Sequence, residues 1–183
     1  MKFIPQAIPE VILIDPVIHP DYRGFFMETY RLADFSRAGI PNVFVQQNHL
    51  RSARGVLRGL HYQLHNPQGK LIRVISGEIF DVAVDLRSSS PTLGKWVGNT
   101  LSSETSQQIW VPPGFAHGIY ILSEFAEVLY QTTDYYHPED KHTIRWNDTD
   151  LAINWPLVNG NLVILSTDDR TAPGFHEAQL YTE

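Results

Sequence analysis

The chain has 183 residues, 43% of them hydrophobic, and a net charge of −6, so it can build an ordinary core and makes a poor default partner for nucleic acid. It has no cysteine, which removes disulfides, thiolate nucleophiles and cysteine-ligated zinc from the chemistry open to it. No run is long and apolar enough to span a bilayer, and the opening MKFIPQAIPE lacks an apolar stretch, so neither membrane nor secretory signal is expected and the chain is read as cytoplasmic.

In chain order, Val11 to Ile14 is the first strand-like run. Leu32 to Ala38 is the best helix candidate, closed by Gly39 and Pro41. Phe44 to Gln47 leads towards Val56 to Gln63, and Leu71 to Ile75 is followed by a tight turn at Ser76-Gly77-Glu78 and then Ile79 to Leu86. In that last run Phe80, Val82, Val84 and Leu86 share one face while Asp81, Ala83 and Asp85 fall on the other, as a period of two requires. Further runs are Ile109 to Val111, Gly118 to Leu122, Glu127 to Thr133 and Leu162 to Leu165. Many short strands with no linker, repeat or composition break predict an all-β sandwich or barrel in a single domain, residues 1–183.

The stretch GVLRGLHYQ sets Arg58 and His61 inside an apolar segment, where unpartnered groups would be costly. His61 and His65 are four apart, which clusters metal ligands on a helix, but this segment reads as a strand, and the residue two after His61 is Gln63. No three-ligand metal set is apparent. His19, His49, His65, His137, His142 and His176 are read as ordinary hydrogen-bonded residues, whereas His61 and His117 sit among apolar or glycine-rich neighbours and are read as functional. Trp96, Trp110, Trp146 and Trp155 are read as core or interface residues.

Several motifs occur in order: Asp21-Tyr-Arg-Gly-Phe-Phe-Met-Glu28, Arg58-Gly-Leu-His-Tyr-Gln63, Gln68-Gly-Lys70, Gly77 to Arg87, Ser90-Pro-Thr-Leu-Gly-Lys-Trp96, Pro113-Gly-Phe-Ala-His-Gly118, Trp146-Asn-Asp148 and Ile153-Asn-Trp-Pro156. Together they cover nearly the whole chain, which resembles the dTDP-4-dehydrorhamnose 3,5-epimerase family. The resemblance implies a double-stranded β-helix (jelly-roll, cupin-like) with a few short helices, no metal and no cofactor, and a homodimer. A strand such as Val11 to Ile14 is then expected to pair across the subunits. The implied substrate is a 4-keto-6-deoxy sugar carried on dTDP, whose ketone acidifies the hydrogens at C3 and C5. Inversion needs a base on one face, an acid on the other and a stabiliser for the enolate oxygen.

By the resemblance, His61 is the base, Tyr130 the acid and Asp169 the carboxylate that orients His61; Lys70 and Arg58 are cations for the enolate and the diphosphate. Arg23, Glu28, Gln46, Gln47, Asn48 and His117 are the further implied substrate contacts. Two substrate-binding positions depart from the family pattern: Lys141 stands where an acidic residue is common, and Asp168 where lysine is usual. A reversed ion pair at the rim of the sugar pocket would keep their attraction while exchanging which strand carries the cation. The rival readings are an epimerase that inverts C3 alone and a sugar-binding cupin without catalysis.

Overall fold

A computed structural model describes residues 1–40, 43–158, 160 and 163–182. The chain forms β1 (Lys2–Pro5), β2 (Ile12–Asp15), β3 (Ile18–Asp21), β4 (Gly24–Met27), α1 (Leu32–Arg37), β5 (Gln46–Ala53), β6 (Leu57–Gln63), β7 (Lys70–Ser76), β8 (Glu78–Asp85), β9 (Trp96–Ser102), β10 (Gln108–Val111), β11 (Phe115–Ile121), β12 (Phe125–Thr132), β13 (Lys141–Thr143) and a single turn, α2 (Thr167–Arg170). The order β1-β2-β10-β7-β12-β5 makes a six-stranded sheet and β13-β6-β11-β8-β9 a five-stranded one; β3 and β4 form a separate hairpin. From β5 to β13 the chain passes to the other sheet at every step except β8 to β9. That doubly wound, antiparallel path is the expected jelly roll.

Alternation decides what each strand buries. Ile72 and Val74 of β7, Ile109 and Val111 of β10, and Val128 of β12 meet Ile79 and Ala83 of β8 and Ile119 of β11 between the sheets. Each buried aliphatic side chain of this kind contributes roughly 1.5–3 kcal/mol. The expected second face of β8, carrying Val82, Val84 and Leu86, is also buried, because the segment after β13 folds over it with Leu151 and Trp155. On the far side of the six-stranded sheet, Phe35 of α1 and Ile40 cover Ile14, Leu71 and Trp110.

Several boundaries move. β5 begins at Gln46 and runs to Ala53, later and longer than the apolar run Phe44 to Gln47, because its inward positions are filled mostly by polar residues. β9 and β13 have no apolar periodicity to announce them: β9 contains Gly98 and Asn99, and β13 is three residues long. Of the expected strand over Leu162 to Leu165, only a parallel bridge between Ile164 and Val56 is seen, and Leu162 and Pro41 lie outside the described residues. The expected cross-subunit pairing of Val11 to Ile14 is corrected outright. β2 is hydrogen-bonded on both sides within its own chain, to β1 and β10, so it has no free edge to offer. Among the described residues no helix is long and apolar enough to cross a membrane.

Candidate active site

Arg58 and His61 are three residues apart in β6, so simple alternation would send them to opposite faces. The pairing with β11 resolves this. His61 lies opposite His117 and Arg58 opposite Ile119, so three steps on β6 match two on β11. This bulge resets the alternation and turns both side chains into the space between the sheets. Gly59 makes it possible: its φ is +137°, and a Cβ there would lie 2.5 Å from Gly118 Cα and 2.9 Å from the His117 carbonyl oxygen.

The result is a cavity of about 350 Å³ between the two sheets. Gln46 and Asn48 of β5, Lys70 of β7 and Tyr130 of β12 line it from the larger sheet. Arg58 and His61 of β6, His117 of β11 and Lys141 of β13 line it from the smaller one. His61 and Tyr130 therefore stand on opposite walls.

His61 Nε2 is 2.5 Å from Asp169 Oδ1. Asp169 is 2% exposed and sits in α2, whose N-cap Ser166 accepts a hydrogen bond from the Asp169 amide at 3.1 Å through its Oγ. Burial pushes the Asp169 carboxyl up, but the His61 hydrogen bond and charge, the Ser166 bond and the Lys141 charge outweigh it and bring it below the usual carboxylate range. An ionised Asp169 accepts from Nε2–H, which leaves the His61 Nδ1 lone pair to take a proton. Burial pushes Tyr130 above the ordinary phenol value, against the pull of the Arg58 charge, so it remains a donor at neutral pH.

A second histidine–carboxylate pair, absent from the sequence-based assignment of the site, lies deeper. His117 Nε2 is 2.8 Å from Asp81 Oδ2, and Asp81 is wholly buried. Asp81 Oδ1 finds no hydrogen-bond partner among the described residues. Burial pushes the ammonium of Lys70 down to about 8, and the Asp81 charge works the other way. The sequence signal for Asp81 was present: a carboxylate between Phe80 and Val82 in an apolar strand must find a partner when both faces are buried.

Other residues of the cavity wall were also missed. Gln63 accepts from the His137 amide at 2.8 Å and donates to the Tyr135 carbonyl at 3.1 Å. Together with Gln68, which donates to the Asp134 carbonyl at 3.0 Å, it holds the loop that brings Tyr136 to the rim. Arg58 Nε donates to Ser52 Oγ at 3.0 Å. The expected reversed pair is formed: Lys141 Nζ donates to Asp168 Oδ2 at 2.8 Å.

Four expected contacts do not line the cavity of their own chain: Asp168, 70% exposed and bonded to Lys141, and Gln47, Arg23 and Glu28. Gln47 alternates with Gln46 and Asn48 and is exposed on the outer face of β5. Arg23 is on the turn of the β3–β4 hairpin, bonded to Asp21 at 2.6 Å, and Glu28 just beyond it accepts from Arg31 at 2.9 Å. Their hairpin stands out from the sandwich, with Tyr22 96%, Phe25 63% and Phe26 71% exposed.

The sequence profile of the family described as dTDP-4-dehydrorhamnose 3,5-epimerase matches residues 5–177. A dTDP-4-dehydrorhamnose 3,5-epimerase of Pseudomonas aeruginosa is 54% identical over 182 residues, covering 99% of each chain. One of Salmonella typhimurium is 48% identical, covering 98% of each. Among solved structures, a dTDP-6-deoxy-D-glucose-3,5-epimerase of Legionella pneumophila, in complex with dTDP-4-keto-L-rhamnose, superposes with a TM-score of 0.95 at 47% identity, covering 100% of this chain and 98% of that one.

Proposed function

Because the chain belongs to the dTDP-4-dehydrorhamnose 3,5-epimerase family, we propose that it inverts C3 and C5 of dTDP-4-dehydro-6-deoxy-D-glucose to give dTDP-4-dehydro-L-rhamnose. The observation that carries the reading is the opposition of a carboxylate-paired histidine and a half-buried tyrosine across one cavity. His61 Nδ1 takes the proton from the carbon next to the ketone, and the C–H electrons pass into an enolate whose charge rests on the C4 oxygen. Lys70 supplies positive charge for that oxygen in a site shielded from water, where such stabilisation is strongest. Tyr130 gives its phenolic proton to the opposite face of the ring carbon, and the electrons return to restore the ketone. Proton exchange with solvent resets His61 and Tyr130 before the second centre reacts. Asp169 holds the His61 tautomer and offsets the imidazolium charge.

In this reading Arg58 and His117 contact the diphosphate and sugar and Gln46 and Asn48 the substrate's polar edge, while Lys141 and Asp168 bond to each other at the rim. Arg23, Glu28 and Gln47 serve the cavity of a second copy, in a cytoplasmic homodimer whose exposed hairpins reach across. Burial of Tyr22, Phe25 and Phe26 would favour that assembly. Residues 1–183 act as one domain without metal or cofactor.

The test is product stereochemistry. Proton NMR of the sugar after incubation of dTDP-4-dehydro-6-deoxy-D-glucose with the purified protein should show ring couplings for inversion at both C3 and C5. Inversion at C3 alone, or unchanged substrate, would overturn the reading. Sedimentation should give twice the chain mass, and a monomer would overturn the hairpin assignment.

A further inference from the structure

The turn that carries Asp169 is poorly equipped to hold itself in place. α2 has four residues, fewer than a helix needs for stability of its own. Before it, Ile164 is anchored to the sheet: its carbonyl accepts from the Leu57 amide at 3.0 Å and its amide donates to Gly55 at 2.8 Å. After it, the Ala172 and Pro173 carbonyls accept from Arg145, at 3.3 Å from Nε and 2.8 Å from the amide. Between those anchors, two side-chain bonds tie the turn to the sheet among the described residues: Asp169 to His61, and Asp168 to Lys141. Neighbouring helical side chains diverge by about 100°. Two tethers at different azimuths therefore fix the rotation of the turn, where one would act as a pivot.

The two tethers meet on the same patch of sheet. In the β13–β6 pairing Lys141 lies opposite Gln63 and Thr143 opposite His61. A closed circuit runs from His61 across to β13, out along Lys141 to Asp168, and back through Asp169 to His61. We propose that the Lys141–Asp168 ion pair is a strap that positions Asp169 against His61, and that the turn needs the attraction between the two positions rather than a given sign at either. The proposal rests on the assignment of His61 as the base. It makes Lys141 and Asp168 positioning residues, and it accounts for why the signs can be exchanged in this chain. Asp168 is 70% exposed, so the pair contributes little to global stability. Its effect falls on catalysis, because a displacement of about 1 Å in a catalytic group can cost about 100-fold in rate.

The experiment is a charge-reversal cycle on the full chain: Lys141→Glu, Asp168→Lys and the double variant. Each is assayed for kcat and KM and, after labelling with 15N-histidine, for the Nε2–H resonance of His61. Lys141→Met and Asp168→Asn remove the pair without introducing like charges and serve if a reversal variant fails to fold. Each single variant should lose about 10- to 100-fold in kcat with KM within about threefold, and should lose or broaden the His61 resonance. The double variant should recover kcat to within about fivefold of the parent and regain the resonance. Additive losses in the double variant, a change confined to KM, or single variants that match the parent would overturn the strap. An inactive parent would instead count against the epimerase reading, and the resonance would still decide the strap.

Discussion

Two histidine–carboxylate pairs share one cavity, and they are built in opposite ways. His117 and Asp81 come from the neighbouring central strands β11 and β8, so the sheet itself sets their 2.8 Å contact. His61 also comes from a strand, but its Asp169 arrives from a one-turn helix beyond the last strand, 108 residues later. The first pair is locked in the interior: His117 is 13% exposed and Asp81 not at all. The second faces a cavity that substrate can enter, with His61 33% exposed. Burial alone therefore does not mark the base. A buried pair secured by the sheet suits a fixed polar contact, whereas a base must present one free nitrogen to substrate while its other nitrogen is held.

Removing each carboxylate's charge should separate the pairs most sharply. Asp169→Asn, which can no longer enforce the Nε2–H tautomer, should lower kcat by about 10²- to 10⁴-fold. Asp81→Asn should cost turnover far less and act mainly through Lys70, which loses its nearby counter-charge. Steady-state kinetics on the two variants gives the comparison, and a larger loss in Asp81→Asn would reverse the assignment. Tyr130→Phe sharpens it from the opposite wall. Inversion should fall by about 10²-fold or more, while His61 continues to exchange ring protons with solvent on its own face. Equal loss of exchange and inversion would argue against separate roles.

Gly59 is where the geometry of the two histidines is set, because its bulge puts His61 opposite His117. Gly59→Ala combines a disfavoured φ with backbone overlap and should cost about 2–6 kcal/mol in urea unfolding. Gly24→Ala is the control: its φ is +134° but a Cβ would meet nothing within 4 Å, so only the backbone strain of about 1–3 kcal/mol remains. Equal effects would remove the close approach of β6 and β11 from the account.

The smallest expected effect is a pH dependence on the Asp81 side. Burial puts the folded-state value of Lys70 at about 8, below its ordinary 10.5. Between those values the unfolded chain binds more protons than the folded one, so stability attributable to Lys70 rises with pH across that window. The difference in unfolding free energy between the parent and Lys70→Met should shift in the parent's favour from pH 7.5 to 10. The kcat/KM of the parent should fall as pH rises through about 8, because the cation that faces the enolate is lost. A flat difference and no basic limb would contradict the burial of a charged Lys70.

An all-β sandwich or barrel was legible from the many short strand-like runs and the alternation in β8, whereas the jelly roll came with the family resemblance. His61 stood out as an imidazole in an apolar strand, whereas Tyr130, Lys70 and Asp169 were singled out only as members of an ordered motif series. What was hidden depends on tertiary structure. That Arg58 and His61 share a wall requires a bulge, which period-two reading forbids. Asp81 was placed on the correct face of β8, but strand periodicity does not tell whether that face meets solvent or a closed interior. Tyr136 and Gln63 belong to a loop and its fastening, and no periodicity marks them. Arg23 stands on an exposed hairpin outside the cavity, a position that its motif does not reveal.

The central claim is that the His61–Asp169 pair, and not His117–Asp81, removes the ring protons. Deuterium incorporation at C3 and C5 in heavy water, followed by proton NMR for His61→Asn and His117→Asn beside the parent, tests it most directly. The account predicts incorporation at both carbons in the parent, a fall of about 10²- to 10⁴-fold at both in His61→Asn, and a rate within about tenfold of the parent in His117→Asn. Near-normal incorporation in His61→Asn, or the larger loss in His117→Asn, would contradict it.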